Sequence, residues 1–364
     1  MQLEKLTLRN FRNIEATEFR PHPVFNIFYG SNAQGKTNLL ESIYLLGSLK
    51  NFRSARNDEL ITHGETAATI IGCTRQNDVG HEIRLDINKE GKQARLDGKV
   101  INRPESYLSC LRPVVFAPEV VGLIKGPPAG RRQLVDRAVF QADAGYLENV
   151  QTYSRQLKQR NRLLKTGGQV EQVETWSSEL ARTGARIRYA RAAYLERLIP
   201  RLLDSYRNIC GEKETISLNY RAAGKGITEL EQELLDEYGR QLEQELRYQM
   251  TLCGPHRDDI EFMVDGRPLR NFGSQGQQRW FILAFKTAQA LDLQQLHGEP
   301  PLLLLDDLTG ELDKRRQERF YQFLLDLKTQ VFITATDIRP LHDGGIKEGY
   351  FIRVKEGNLH NDKS

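Results

Sequence analysis

The eight residues Gly30 to Thr37, "GSNAQGKT", constrain this chain more than any other stretch. They fit G-x-x-x-x-G-K-[ST] and lie between an apolar run, "VFNIFY", and an amphipathic one, "KTNLLESIYLL". A strand that feeds a glycine turn opening a helix is the context in which this pattern grips phosphate. Gly30 and Gly35 let the backbone curl so that amide N–H groups face the phosphates, and the helix from Lys36 adds its positive end. Lys36 carries charge to the β- and γ-phosphates, and the Thr37 hydroxyl can ligate Mg²⁺. The expected nucleotide contacts are therefore Gly30, Ser31, Asn32, Ala33, Gln34, Gly35, Lys36, Thr37 and Asn38, with ATP and Mg²⁺ as cofactors.

Such a loop needs an acidic partner, and "PLLLLDD" supplies it. Four leucines in a row read as a strand buried on both faces, as a parallel sheet requires. Asp306 ends that strand, where its carboxylate can hold Mg²⁺ with Thr37. Asp307 follows, placed to orient or deprotonate an attacking water, so Asp307 and Lys36 are the expected catalytic residues. About 30 residues earlier, "NFGSQGQQRW" places Ser274, Gly276 and Gln277 at the start of a long helix, a second candidate anion site.

The rest of the chain falls into three regimes. Residues 1–118 alternate in short apolar runs, and "ARLDGKVI" carries a hairpin signal at Asp97-Gly98. Residues 119–251 are mainly long polar stretches with leucines at helical spacing, interrupted by "ETISLNY". From 252 to 364 strands and helices alternate again, opening with the hairpin "DDIEFMVDGRPL". The expected organisation is a discontinuous α/β lobe, 1–118 plus 252–364, around a helical insertion with short coiled-coil-like arms. The four cysteines are far apart, so neither a zinc site nor a disulfide framework is indicated. With no charged-then-apolar leader and no apolar run of membrane-spanning length, a soluble, cytoplasmic protein is expected.

The Ser274–Gly276 turn resembles the signature turn of ABC-type ATPases, in which the signature of one subunit closes on nucleotide held by another. A kinase has no use for such a turn, and no N-K-x-D guanine-reading motif is present. The resemblance narrows with "LTLRNFRNIEATEF", "FAPE...KGPPAGRRQLVDRAV", "GPHRDD", "GSQGQQR" and "LLLLDDLTGELD", which occur in the order found in the RecF family, relatives of the Rad50 and SMC heads. It spans residues 3 to 340. It implies an α/β fold: an ABC-type P-loop ATPase head with mixed sheets plus an inserted helical lobe. It also implies a weak, DNA-stimulated ATPase that dimerises with ATP and binds gapped or single-strand/double-strand junction DNA. With RecO and RecR, such a protein promotes loading of RecA in repair, replication restart and SOS induction. Arg12 and Asn13 correspond to a loop that flanks the nucleotide in related heads, and Arg53 resembles an arginine coupling DNA to the ATP site. Asp307 replaces the usual Glu, and Thr336 stands where many ABC proteins place a switch histidine. Both suggest slow turnover.

Charge offers a separate line. Residues 131–207 hold 15 Lys and Arg against 8 Asp and Glu, whereas 212–247 hold 5 against 9. Arg160, Arg162, Arg182 and Arg186, with Arg188 and Arg191 nearly one turn apart, suggest a phosphate-contacting patch. A solvated helix face is the other reading of any single arginine. In "GPHRDD", His256, Asp258 and Asp259 match no metal-ligand spacing, and structural hydrogen bonding is the expected role.

Overall fold

The computed structural model describes residues 1–53, 56–101, 104–211, 214–307 and 314–361. Its first sheet contains β1 (Gln2–Phe11), β2 (Ile14–Phe19), β4 (Ala67–Gln76), β5 (Val79–Asn88), β6 (Lys92–Leu96) and β7 (Lys99–Val100), antiparallel in the order β2-β1-β4-β5-β6-β7. Leu6 and Leu8 of β1, with Ile83, Leu85 and Ile87 of β5, are buried on one face. This one-sided alternation is typical of an antiparallel sheet covering a core.

The second sheet gathers strands from both ends of the chain. It comprises β3 (Phe25–Tyr29), β8 (Pro113–Phe116), β12 (Leu302–Asp306), β13 (Val331–Ala335), β14 (Tyr350–Lys355) and β15 (Asn358–Asn361), ordered β15-β14-β3-β13-β12-β8. All neighbours are parallel except β15, which turns back on β14. Every residue of β12 and β13 is buried, as the unbroken apolar run in "LLLLD" demands. The C-terminal ends of β3 and β12 therefore present the glycine turn and Asp306 at the same edge. A third sheet, β9 (Ile216–Tyr220), β10 (Ile260–Val264) and β11 (Arg267–Pro268), has the order β11-β10-β9. Asp97-Gly98 and Asp265-Gly266 both adopt positive φ (49° and 76°, 49° and 72°), the two-residue turn that suits the twist of a hairpin.

Helices link these strands: α1 (Lys36–Ser48), α2 (Pro104–Ser109), α3 (Pro118–Lys125), α4 (Pro128–Ala142), α5 (Gly145–Thr166), α6 (Val170–Cys210), α7 (Ile227–Tyr248), α8 (Leu269–Phe272), α9 (Gln275–His297), α10 (Lys314–Leu327) and α11 (Arg339–Asp343). The chain divides into two compact units. Unit 1 is Met1–Val121, Arg207–Cys210 and Ile282–Ser364; unit 2 is Gly122–Tyr206 and Gly211–Phe281. The return to the first unit thus comes near 282, not at 252 as the resumed strand pattern suggested. The reason is pairing: β10 is in five-residue register with β9, and Asp258 and Asp259 bind Arg188 and Arg131, all within unit 2. Among the described residues no helix is long and apolar enough to cross a membrane.

Candidate functional site

In unit 1 the glycine turn leaves β3 and enters α1 as its sequence requires. Gly30 (φ 143°) and Gly35 (φ 104°) both hold backbone that side chains rarely adopt. A Cβ at Gly30 would lie 2.7 Å from the Val354 carbonyl oxygen, and one at Gly35 would lie 2.8 Å from the Asn13 amide. Gly35, the N-cap of α1, has no side chain with which to cap the first-turn N–H groups. Ser31, Asn32 and Ala33 are exposed around this opening. The Lys36 ammonium donates to the carbonyls of Gly30 (2.5 Å) and Ser31 (2.9 Å). Burial draws its pKa below the ordinary value, against the opposing charges of Asp307 and Asp306. An uncapped helix end beside a partly desolvated ammonium is a site for a polyanion.

Asp306 closes the other side. Its Oδ1 accepts from the Thr37 hydroxyl at 2.8 Å and from the Thr334 hydroxyl at 2.7 Å. Burial raises the Asp306 pKa, and those two hydroxyl bonds work in the other direction. A buried carboxylate and a threonine hydroxyl, both hard oxygen donors, suit Mg²⁺ that takes its remaining ligands from phosphate and water. Asp307 is exposed, at φ 48°, with its N–H donating to Thr334 Oγ1 at 3.0 Å. The rest of "LLLLDDLTGELD", residues 308–313, lies outside the described residues.

Arg12 and Asn13 separate in role. The Arg12 guanidinium grips the buried Glu41 carboxylate at 2.8 and 3.0 Å and donates to the Glu59 carbonyl at 2.7 Å, so it braces α1 from the side. Asn13 lies on the turn itself, donating to the Gln34 carbonyl at 3.4 Å and accepting from Asn38 at 2.8 Å. Sequence reasoning missed the clamp behind the turn. Gln34 accepts backbone N–H bonds from Glu356 (2.8 Å) and Gly357 (2.9 Å), the two turn residues between β14 and β15. A Cβ at Gly357 would sit 2.3 Å from the Asn13 carbonyl oxygen. The available signal was "KEGN", a hairpin turn whose partner was not visible.

In unit 2, Ser274 and Gln277 form a reciprocal cap at the start of α9. The Gln277 N–H donates to Ser274 Oγ at 3.1 Å, and the Ser274 N–H donates to Gln277 Oε1 at 2.8 Å. Gln277 also donates to Glu214 at 2.9 Å. Gly276 is different: a Cβ there would meet nothing closer than Trp280 Nε1 at 3.6 Å.

The proposed basic patch is only partly on the surface. Arg162, Arg182 and Arg186 are exposed, Arg182 beside Glu179 at 3.2 Å. Arg160 is not a surface contact: it is fully buried against Glu245 (2.6 Å), Ser177 and Thr251. Arg188 and Arg191 are likewise internal, bound to Asp258 (2.8 Å) and Asp136 (2.7 Å). Their acidic partners lie outside α6, so helical spacing alone suggested surface charge. Arg53, in unit 1, pairs with Glu119 at 2.9 Å and is about a third exposed.

The "GPHRDD" segment ties these arginines together. Asp258 holds Arg188, Asp259 holds Arg131 and Arg270, and His256 Nδ1 lies 2.7 Å from the Tyr153 hydroxyl. Burial lowers the His256 pKa to about 4. The unfolded chain therefore takes up this proton near pH 6.5 and the folded chain only near 4, so stability falls as pH drops between them, by roughly 3 kcal/mol in all. Urea denaturation at pH 7 and 4.5 should show a markedly smaller acid loss for His256→Gln than for the parent.

A family model described as the RecF/RecN/SMC N terminal domain matches residues 2–355. Over 99% of both chains, the sequence is 46% identical to a protein of Syntrophotalea carbinolica named DNA replication and repair protein RecF. A protein of the same name from Geotalea daltonii is 39% identical over 99% of this chain and 100% of its own. A solved structure of the recombination mediator protein RecF with ATP, in the RecFOR pathway, superposes with a TM-score of 0.90 at 28% identity, covering 99% of each chain. An Smc head domain from Pyrococcus furiosus, 14% identical over 98% of this chain and 94% of its own, superposes at 0.55 and shares the ABC-type ATPase fold.

Proposed function

The chain belongs to the RecF branch of the RecF/RecN/SMC family, and on that premise we propose that it is an ATP-switched recombination mediator acting on DNA. The nucleotide would lie along Gly30–Asn38, with its phosphates on the uncapped end of α1 and Lys36 turning from the Gly30 and Ser31 carbonyls toward them. Thr37 and Asp306 would hold Mg²⁺, which neutralises phosphate charge when bound. Asp307 would orient a water for attack on the γ-phosphorus, breaking its bond to the β–γ bridging oxygen and accepting the water's proton. Turnover is expected to be slow.

One observation carries the two-headed version of this reading. Gly276 sits in the first turn of α9, where alanine would fit and would favour the helix by about 1 kcal/mol. Bare backbone there suits close approach by a phosphate held on a second copy. In this proposal ATP closes two heads on gapped or junction DNA, and hydrolysis reopens them. Arg53, Arg162, Arg182 and Arg186 are the candidate phosphate contacts, with RecO- and RecR-type partners then directing RecA onto the strand.

Sedimentation with and without ATP and gapped duplex, for the parent and Ser274→Arg, tests this. ATP should produce a DNA-holding dimer of the parent, while the variant keeps its nucleotide but stays monomeric. Its folding stability should drop only by the lost cap, about 1 kcal/mol. A parent that stays monomeric with ATP and ignores DNA would overturn the reading.

A further inference from the structure

Neither the glycine turn nor the acidic pair accounts for Thr334, a polar residue 1% exposed in the apolar strand β13. Its neighbours Phe332, Ile333 and Ala335 are apolar and buried, and a valine would fill the same volume. A buried hydroxyl is retained without cost only if its hydrogen bonds are made. Here both are made to the acidic pair. Asp306 and Thr334 are cross-strand partners in the parallel register of β12 and β13. The Thr334 hydroxyl gives its single proton to Asp306 Oδ1 at 2.7 Å and accepts the Asp307 N–H at 3.0 Å. Asp307 sits at φ 48°, a left-handed conformation that side-chain-bearing residues seldom hold without support.

We infer that Thr334 is a positioning residue that sets Asp306 toward the metal and Asp307 toward the attacking water. The inference rests on the ATPase reading above. Thr37 makes the other hydroxyl bond to Asp306 Oδ1, at 2.8 Å. Thr37 is also the expected metal ligand, and a hydroxyl that ligates through its lone pair still donates its proton, so its bond ties Asp306 to the metal side of the site. Thr334 holds the same oxygen from the neighbouring strand β13, which pairs with both β12 and β3. It therefore links the orientation of the two carboxylates: one through its side chain, the other through its backbone.

Thr334→Val and Thr334→Ser, each compared with the parent, test this through fluorescent ATP-analogue binding in EDTA and in Mg²⁺, steady-state hydrolysis, and thermal melting. The valine variant should melt near the parent and bind the analogue in EDTA as the parent does. Its Mg²⁺-dependent gain in binding should shrink and its kcat should fall, each by about 10-fold, with KM rising as the Mg²⁺-supported binding is lost. The serine variant, which keeps the oxygen, should recover most of both. The inference is overturned if valine preserves the Mg²⁺ gain and kcat. It is equally overturned if serine fails as badly as valine, or if EDTA binding falls in step with melting, as a merely structural role predicts. A parent that binds the analogue in neither condition overturns the ATPase reading itself and takes this inference with it.

Discussion

Asp258→Ala is expected to destabilise unit 2 by about 3–5 kcal/mol, the usual cost of leaving one partner of a buried ion pair alone. Asp258 accepts two bonds from Arg188, at 2.8 and 2.9 Å, and one from the Tyr220 hydroxyl at 3.0 Å. Arg188 is 0% exposed. Burial alone would depress its charge, yet the bonds to Asp258 and the nearby Glu237 outweigh that and hold the guanidinium above its ordinary range. Without Asp258 the arginine keeps, among the described residues, the Glu237 carboxylate at 3.2 Å. Urea denaturation followed in unit 2 should show the loss directly. Arg182→Ala, which breaks an exposed pair, should cost under about 1 kcal/mol. A double variant, Asp258→Leu with Arg188→Met, should recover much of the stability, because two apolar side chains leave no orphaned charge. A loss for Asp258→Ala no larger than that for Arg182→Ala would show that the network is incidental to folding.

This network also shows where sequence reading stops. The turn at Gly30–Thr37, the buried strand at Leu302–Asp306 and the hairpins at Asp97-Gly98 and Asp265-Gly266 were legible because each is encoded within about ten residues. Strand, turn and helix signals there are local, and the structure keeps them. Helical spacing presents Arg160 and Arg188 as surface charge because their partners, Glu245 and Asp258, lie 85 and 70 residues away. Helical periodicity marks a face as apolar or polar, but it does not say that a polar face meets another polar face. One signal was present in outline: a net-positive stretch followed by a net-negative one is what internal pairing would leave. The second unit gained β10 for a similar reason, since its register is with β9, about 40 residues earlier. Gly357 was invisible for the opposite reason. Its turn was readable, but the Asn13 carbonyl that forbids a side chain there is more than 300 residues away in sequence.

Lys36→Met should lower ATP affinity by about 10- to 150-fold, the equivalent of one charge-assisted hydrogen bond of roughly 1.5–3 kcal/mol. The ammonium donates to the Gly30 and Ser31 carbonyls, which would be poor competitors for a phosphate oxygen. Burial already lowers its pKa, so the fold disfavours the charge that the ligand favours. The variant, relieved of that charge, should melt no lower than the parent when nucleotide is absent. With saturating ATP the parent should gain thermal stability and dimerise, whereas the variant should do neither at the same concentration, because both responses follow from nucleotide bound to the folded state. Isothermal titration, melting and sedimentation on the same samples separate the possibilities. A variant that loses ATP binding and also melts well below the parent would mean that Lys36 braces the turn. Undiminished ATP affinity would mean that the phosphates lie somewhere other than the end of α1.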